Sequence, residues 1–310
     1  MDATNWVWIP LSIFAALMQA VRTAAQKQLN QRMSTMGTTY VRSLFGLPVL
    51  LVFLGAVTLY TGLGAPEFKP AFVLHTAGGA AAQVLATALL IYLFRLKNFA
   101  VGTMLTKTDL ILTAVVGTVL FTEQITPFGW VAILVVIGGV TLMLLGKTGT
   151  GVFKTRGEAV SHLLTGRATQ VALACALLFA LSYLFLRAAT LELGEQNHFL
   201  WRSGWTVVLA TTLQIVCLGL WLAVKEPGVF RQMWPVRGIA SFIGLTSALG
   251  SIGWYSAFAL QNASYVRAVG QIEAVFTLTI SWLYFREKIT RLELAGIAAT
   301  VAGVLMFRLV

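Results

Sequence analysis

Charged side chains are scarce in this chain of 310 residues, and their scarcity excludes a soluble protein. Asp, Glu, Lys and Arg make up 11% of the residues and hydrophobic residues 58%, whereas soluble domains have about 25% charged and roughly 45–50% apolar residues. Water does not solvate a surface of this composition. Most of the chain must therefore lie in lipid.

Cysteine and histidine are also rare, and the motifs of enzymes are missing. Cys175 and Cys217 both lie in apolar runs, which favours small core residues over a disulfide or metal ligands. His75, His162 and His198 are scattered, and the sequence has no HExxH, CxxC, G-x-S-x-G or Walker-type glycine loop. We therefore expect no enzyme, no metal or other cofactor, and no ATP-driven pumping by this chain alone.

Basic residues exceed acidic ones, and the formal net charge is +11. A charge of this size is also found in nucleic-acid-binding proteins. Here, however, the 22 Lys and Arg residues are spread through short connections rather than gathered on one face or arm. The sequence thus predicts no nucleic-acid partner.

Apolar runs bounded by charged residues, Gly or Pro predict an all-α membrane protein with about ten transmembrane helices. Each span of a bilayer needs about 20 predominantly apolar residues. The longest polar interruption separates two halves of five helices. The predicted helices are 6–31, 38–60, 71–94, 100–121, 127–146, 168–190, 198–224, 237–259, 264–285 and 291–309.

The two halves of the sequence are similar to each other. A shift of 164 positions places Phe121-Thr-Glu-Gln-Ile-Thr126 on Phe285-Arg-Glu-Lys-Ile-Thr290 and, without gaps, Asp109 on Glu273. Because each half has an odd number of spans, the two copies must enter the membrane in opposite directions. We therefore predict a first five-helix repeat (1–146), a basic linker loop (147–167) and a second, inverted five-helix repeat (168–310).

Basic residues concentrate in alternate connections between the predicted helices. The connections after the first, third, fifth, seventh and ninth helices hold most of them, while the other connections and the termini hold little beyond Lys69 and Arg308. Because loops rich in Lys and Arg stay in the cytoplasm, both termini are expected outside the cell. The expected location is the cell inner membrane, crossed many times.

Both halves also carry one ordered pattern of glutamate, glycine and basic residues. In each, a helix ending in Glu is followed by a short loop and a glycine-bearing last helix: Glu123 precedes Gly138-Gly139, and Glu287 precedes Gly303. A basic residue late in the first helix and an Arg early in the second complete the pattern: Lys27 and Arg42 in one half, Arg187 and Arg202 in the other. With these features the chain resembles, over nearly its whole length, the ten-helix EamA-like members of the drug/metabolite transporter superfamily. The resemblance implies a central cavity between the halves and alternating access for small solutes.

The chain departs from that family in three ways. Members often carry a proline inside the fourth helix of a half, but 101–120 and 265–284 contain none. The sequence therefore does not predict an unwound segment in either helix. Small multidrug relatives couple transport to a glutamate in their first helix, and 6–31 contains none. Many members are drawn with cytoplasmic termini, which the distribution of basic residues opposes.

Two carboxylates inside predicted spans are the first candidate site residues, because ionisable groups within a membrane are costly. Asp109 lies near the middle of the fourth predicted helix, and Glu273 near the middle of the ninth. Because the repeat relates them, both are expected near the bilayer midplane, where sites in inverted repeats are found. Thr113 and Thr277 extend the same helix faces by one turn.

A second polar stripe contains Lys107 and Gln271, two residues before the carboxylates and therefore about 200° around the helix from them. Arg267 lies four residues before Gln271 on that stripe. Two interpretations remain open for Lys107, Arg267 and the carboxylates: these side chains line a cavity, or they form interhelical ion pairs that hold the halves together.

Further positive charge comes from arginines inside or at the edges of helices, namely Arg22, Arg42 and Arg202. Arg42 and Arg202 either line the cavity or extend towards lipid head groups. Three aromatic residues, Tyr183, Trp254 and Tyr255, lie deep in the helices and either stack on a solute or pack in the core. Positive groups outnumber negative ones among these candidates, which favours an anionic or zwitterionic solute.

We therefore predict a secondary transporter of a small polar metabolite, with a site between the halves formed by helices one, two, four, six, seven and nine. The family resemblance favours efflux of an amino acid or related solute. The alternatives are import or exchange of an organic anion or sugar-phosphate-like solute, and translocation of a lipid head group. Proton coupling through a buried carboxylate is one option. The expected partners are the solute and the bilayer, and the protein is either a monomer or a dimer.

Overall fold

The computed structural model of this protein describes residues 6–30, 32–96, 107–148, 167–285 and 289–310. Every regular element in these ranges is helical. The helices are α1 (Trp8–Leu29), α2 (Thr35–Thr61), α3 (Pro70–Leu96), α4 (Asp109–Leu120), α5 (Pro127–Thr148), α6 (Arg167–Glu192), α7 (Phe199–Lys225), α8 (Val229–Met233), α9 (Arg237–Leu260), α10 (Ala263–Gly270), α11 (Glu273–Phe285) and α12 (Arg291–Met306), followed by a 3-10 turn at Phe307–Leu309.

Eight helices in the described ranges are long and apolar enough to cross a membrane, which confirms the all-α membrane class. They correspond to all the predicted spans except the fourth and the ninth. The fourth predicted span, 100–121, contains α4, and its residues 100–106 lie outside the described part of the chain. The linker at 149–166 and Glu287 also lie outside it.

The ninth predicted span, 264–285, is not one continuous helix. It is divided into α10 and α11 by a two-residue turn at Gln271 and Ile272. There the backbone N–H groups of Gln271 and Ile272 bond the carbonyls of Ala268 and Val269, three residues back rather than four. The chain therefore tightens locally into 3-10 geometry. Gly270 ends α10, and glycine is less favourable in helix interiors than every residue except proline, so the interruption needs no proline.

The chain divides into two compact units, each built from segments of both sequence halves. Unit 1 contains Met1–Val84 and Ser182–Gln261, and unit 2 contains Leu85–Leu181 and Asn262–Val310. The boundaries fall inside α3 and α6 and between α9 and α10. A division of the chain into 1–146, 147–167 and 168–310 stays a sequence prediction.

Glycines allow close helix contacts in both units, as expected where small residues let backbones approach. In unit 1, a Cβ on Gly244 of α9 would lie 2.5 Å from the carbonyl carbon of Phe45 in α2. In unit 2, a Cβ on Gly139 of α5 would lie 2.5 Å from the backbone nitrogen of Thr300 in α12. Side chains at these positions would collide with backbone, so both contacts require glycine.

Candidate functional site

Asp109 and Arg267, two of the predicted site residues, form an ion pair inside unit 2. Nη2 of Arg267 donates to Oδ2 of Asp109 at 3.2 Å, and the two residues are only 5% and 6% exposed. Asp109 begins α4 and Arg267 lies in α10, so the pair joins helices from the two sequence halves. For these two charges, the geometry is that of an interhelical ion pair.

Asp109 and Glu273 hold equivalent places in the two repeats, but neither lies near the middle of a helix as predicted. Asp109 is the first residue of α4 and Glu273 the first residue of α11, and a two-residue turn precedes each. In both copies the threonine four residues later donates to the backbone carbonyl of the acid, at 2.6 Å for Thr113 and 2.9 Å for Thr277. Each carboxylate thus lies in the first turn of a helix, where the helix dipole favours negative charge.

Lys107 and Gln271 lie in the two turns that precede these acids, and they line one cavity within unit 2. Gln271 is 2% exposed and Lys107 is half-buried. The structure thus brings the side chains of Lys107 and Gln271 to one cavity. Their role in binding a solute stays a prediction.

Glu123 caps the first turn of α10 from a distant part of the chain. Its carboxylate accepts the backbone N–H groups of Ala263 at 2.6 Å and of Ser264 at 3.3 Å, and the Ser264 hydroxyl at 2.6 Å. The first N–H groups of a helix have no partner within the helix, and a carboxylate satisfies them while complementing the dipole. α10 is therefore bound to the first sequence half at its start by Glu123 and nearer its end by Asp109.

In unit 1, three of the predicted residues form a polar cluster between α1, α2 and α9. Arg42 lies within electrostatic range of both Arg22 and the Tyr255 hydroxyl. Beside them, Nε1 of Trp254 donates to Oε1 of Gln19 at 3.1 Å. Trp254 and Tyr255 are 8% and 7% exposed, so the aromatic part of the cluster is buried. Two guanidinium groups thus share one largely enclosed region.

Arg202 was predicted either to line a cavity or to extend towards lipid head groups, and it lies inside unit 1. It is 4% exposed, which excludes a side chain that extends out of the protein to lipid head groups. Nη2 of Arg202 donates to the carbonyl of Ala259 at 3.1 Å, and Nη1 of Arg187 donates to the carbonyls of Phe258 and Gln261. Both arginines therefore bind the carbonyl groups at the end of α9, where the helix dipole favours positive charge.

The third predicted aromatic residue, Tyr183, packs in a row with Phe258 and Trp254 within unit 1. The ring centroids of Tyr183 and Phe258 are 6.2 Å apart, and those of Trp254 and Phe258 are 6.3 Å apart. Core packing therefore accounts for one side of each ring. Stacking on a solute stays a prediction.

In the residues that the structure describes, no three His, Cys, Asp or Glu side chains are grouped so that they could hold a metal ion. The described residues offer charge pairs, aromatic surface and amide groups, which are kinds of groups that bind small solutes.

Comparison with protein families identifies the architecture. The model of the EamA-like transporter family matches twice, over residues 6–145 and 167–309, so it covers both sequence repeats. The chain belongs to the EamA-like transporter family. No curated protein matches the sequence. A solved structure described as "Crystal structure of protein" matches this EamA-like transporter with a TM-score of 0.69 at 14% identity, over 99% of this chain and 96% of the other. That likeness supports the fold.

Membership in the family confirms the resemblance inferred from the sequence. This EamA-like transporter is a multi-pass membrane protein of the drug/metabolite transporter type, and its partners are a small-molecule solute and the lipid bilayer. The family consists of transporters rather than enzymes. The double match also agrees with the two-repeat organisation derived from the shift of 164 positions.

Sequence reasoning missed two polar features of this EamA-like transporter. Gln19 joins the unit 1 cluster, and its position three residues before Arg22 on the same helix face was the available signal. Gln83 and Gln214 are hydrogen-bonded to each other at 2.5 Å inside unit 1. Each of those glutamines is isolated in an apolar run, which marks a buried polar residue but does not reveal its partner.

Proposed function

We propose that this EamA-like transporter is a secondary active transporter that exports a small carboxylate-bearing metabolite, an amino acid or a related solute, by alternating access. The observation that carries the proposal is the cluster of Arg22, Arg42 and Tyr255 in unit 1. A cation inside a membrane protein is costly, and an anionic group bound at Arg42 would reduce that cost.

The chemistry of the cluster suits a carboxylate. A guanidinium presents several N–H donors in a plane and binds the two oxygens of a carboxylate in a bidentate manner. Among the described residues, no carboxylate lies within ion-pair distance of Arg42. A solute would therefore provide the negative charge that the protein itself does not provide at Arg42.

Buried aromatic and amide groups next to the arginines suit the remainder of an amino acid. The indole of Trp254 offers an apolar face, and the Tyr255 hydroxyl and the Gln19 amide offer hydrogen bonds. This combination of a charged anchor, a ring and a few polar groups is typical of small-molecule sites.

The same arginine pair also favours a second candidate, an exchanger or importer of an organic anion or sugar-phosphate-like solute. A phosphate monoester carries up to two negative charges and three acceptor oxygens, so it would engage both guanidinium groups. The two candidates differ in the charge of the preferred solute. Competition between alanine, succinate and glucose 6-phosphate therefore separates them.

We further propose proton coupling through Glu273. Of the two predicted carboxylates, we assign the proton-carrying role to Glu273, which is the less buried of the two. Glu273 is partly buried in the first turn of α11 and occupies the repeat position equivalent to Asp109. A proton gradient supplies the driving force for many secondary transporters, and the sequence has no ATP-binding motif.

Uptake into proteoliposomes tests the site. We expect Arg42→Gln to raise the apparent KM for the transported solute about 10- to 100-fold, because a charge-assisted hydrogen bond contributes about 1.5–3 kcal/mol. Lys225→Gln, an exposed cation at the end of α7, is the matched control and should leave KM unchanged. Equal KM values for wild type and Arg42→Gln with every carboxylate tested would refute a solute site at this cluster.

The coupling proposal has its own test. Glu273→Gln should abolish the dependence of uptake on an imposed pH gradient, while counterflow exchange of the solute, which needs no driving gradient, continues. Unchanged gradient dependence in Glu273→Gln and in Asp109→Asn would show that neither carboxylate carries the proton.

For orientation, we propose that the chain lies in the cell inner membrane with both termini outside, because basic residues concentrate in the alternate connections. A reporter enzyme active only in the cytoplasm and another active only outside it, each fused after Val310, measure this directly. Activity of the cytoplasmic reporter would show the opposite orientation.

A further inference from the structure

Unit 2 contains a cavity of about 80 Å³, and two of the polar residues that line it occupy repeat-equivalent positions. Lys107 and Gln271, related by the shift of 164 residues, both line it. Each belongs to the short turn that precedes a helix with an acidic first residue. The space is larger than one water molecule needs.

Gln271 provides an acceptor that the protein leaves unused. The residue is 2% exposed, and its Oε1 atom has no hydrogen-bond partner among the residues that the structure describes. An unsatisfied amide oxygen in a buried position costs about 1–3 kcal/mol, so it marks a place where a ligand donor would be favourable.

Lys107 provides a cation beside that acceptor. Its ammonium has no carboxylate within ion-pair distance in the described ranges, and the residue is half-buried. Asp109, two residues away in sequence, pairs with Arg267. The charge of Lys107 is therefore available to an anion that enters the cavity.

The rest of the lining restricts the size and polarity of a ligand. Leu110, Ile137 and Val140 are apolar, and Thr141 adds a hydroxyl from α5. A ligand group that fits must be small, must accept hydrogen bonds from an ammonium and must offer a donor to an amide oxygen. A simple anion such as propionate meets the first two conditions but not the third.

We propose that this cavity binds the head group of an α-amino or α-hydroxy acid, with the carboxylate on Lys107 and the neighbouring ammonium or hydroxyl on Oε1 of Gln271. This inference rests on the proposed function and deepens it. It adds a binding position in unit 2 to the arginine cluster of unit 1, and it narrows the solute from any carboxylate to one with a hydrogen-bond donor on the adjacent carbon. Lys107 thus sets affinity, and Gln271 sets the discrimination between such acids and plain carboxylates.

Equilibrium binding to the purified full-length chain in detergent micelles tests the inference with four probes: alanine, lactate, propionate and methylammonium. Alanine, lactate and propionate have the same carbon skeleton and differ at the position that would face Gln271. We expect lactate to bind about two- to twelvefold more tightly than propionate, since one neutral hydrogen bond contributes about 0.5–1.5 kcal/mol. Alanine, whose donor is a charged ammonium, should bind more tightly than lactate, and methylammonium should not bind.

Two variants separate the roles. Lys107→Met should weaken the binding of alanine at this cavity by about 10- to 100-fold, because a charge-assisted hydrogen bond is lost. Gln271→Leu should retain propionate binding and equalise the affinities for alanine and propionate. Lys225→Met and Gln232→Leu make the same substitutions at exposed positions and should change neither affinity nor discrimination.

The affinity ratio is measured on folded protein only, so a partly unfolded variant does not distort it. If the wild type binds alanine and propionate equally yet transports carboxylates, the inference is wrong and the proposed function survives. If the wild type binds none of the acids, both are wrong. If Lys107→Met and Gln271→Leu bind alanine as the wild type does, the cavity holds water only and the inference is wrong.

Discussion

Removing both members of the Asp109–Arg267 pair is expected to destabilise the protein by clearly less than the sum of the two single removals. The N–O distance is 3.2 Å, and both residues are at most 6% exposed. Unit charges about 4 Å apart interact by about 4 kcal/mol at the effective dielectric constant of 20 typical of proteins. A single substitution removes this attraction and leaves the other charge buried without a partner, which lowers the free energy of unfolding by about 3–5 kcal/mol.

A double-mutant cycle measures the coupling between the two charges. Asp109→Asn and Arg267→Met should each lower the free energy of unfolding by about 3–5 kcal/mol. The double variant should lose less than the sum of the two, because neither charge remains to be desolvated. The expected coupling energy is about 2–3 kcal/mol.

Denaturant titration in detergent micelles, followed by circular dichroism and tryptophan fluorescence, gives the four free energies of the cycle. The control cycle combines Glu67→Gln with Lys225→Met, two exposed charges that should each change stability by no more than about 0.5 kcal/mol. Additive losses at Asp109 and Arg267, with coupling below about 0.5 kcal/mol, would refute the reasoning that this pair holds α4 to α10.

Three further substitutions probe the helix contacts. Gly139→Ala should lower the free energy of unfolding by about 1–3 kcal/mol in the same titration, because its Cβ would lie 2.5 Å from the backbone nitrogen of Thr300. A denaturation midpoint equal to that of the wild type would contradict this packing. Glu123→Gln should cost about 1–2 kcal/mol and speed amide hydrogen exchange at Ala263, since a charged cap becomes neutral; unchanged exchange there would exclude the cap. Arg202→Met should lower the free energy of unfolding by about 1.5–3 kcal/mol, because the hydrogen bond to Ala259 is lost, and the KM for the solute should stay near the wild-type value. Unchanged stability with a raised KM would place Arg202 in the solute site.

The helical class and the repeat could be read from the sequence because both depend on local properties. Apolar runs of about 20 residues are long enough to span a bilayer whatever surrounds them. The shift that aligns Asp109 with Glu273 requires no knowledge of packing. It also predicted correctly that the two acids occupy equivalent places, since each begins a helix after a short turn.

The partner of Asp109 could not be read in this way. Under the repeat shift Arg267 corresponds to Thr103, so symmetry gives Asp109 no cation, and the nearby Lys107 was expected about 200° away around the helix. The actual pair spans 158 residues. Such contacts depend on which helix faces meet, which periodicity does not specify.

The tightening at Gln271 was missed for a different physical reason. Proline is the usual sequence signal for an interrupted helix, and this segment contains none. The interruption instead arises from three-residue hydrogen bonds beyond Gly270, together with the long-range contacts that hold α10 at its start and near its end. Only the glycine is visible in the sequence.

The capping of α10 by Glu123 also constrains how the protein is made. The carboxylate and the Ala263 amide that it binds are 140 residues apart. A ribosome adding about 5–20 residues per second needs about 7 to 28 s to cover that interval. During this time the first half is already emerging into the insertion machinery, while the amides that will anchor Glu123 have not been synthesised. Assembly of this part of unit 2 is therefore a late event, and the first half produced alone would lack the groups that complete it.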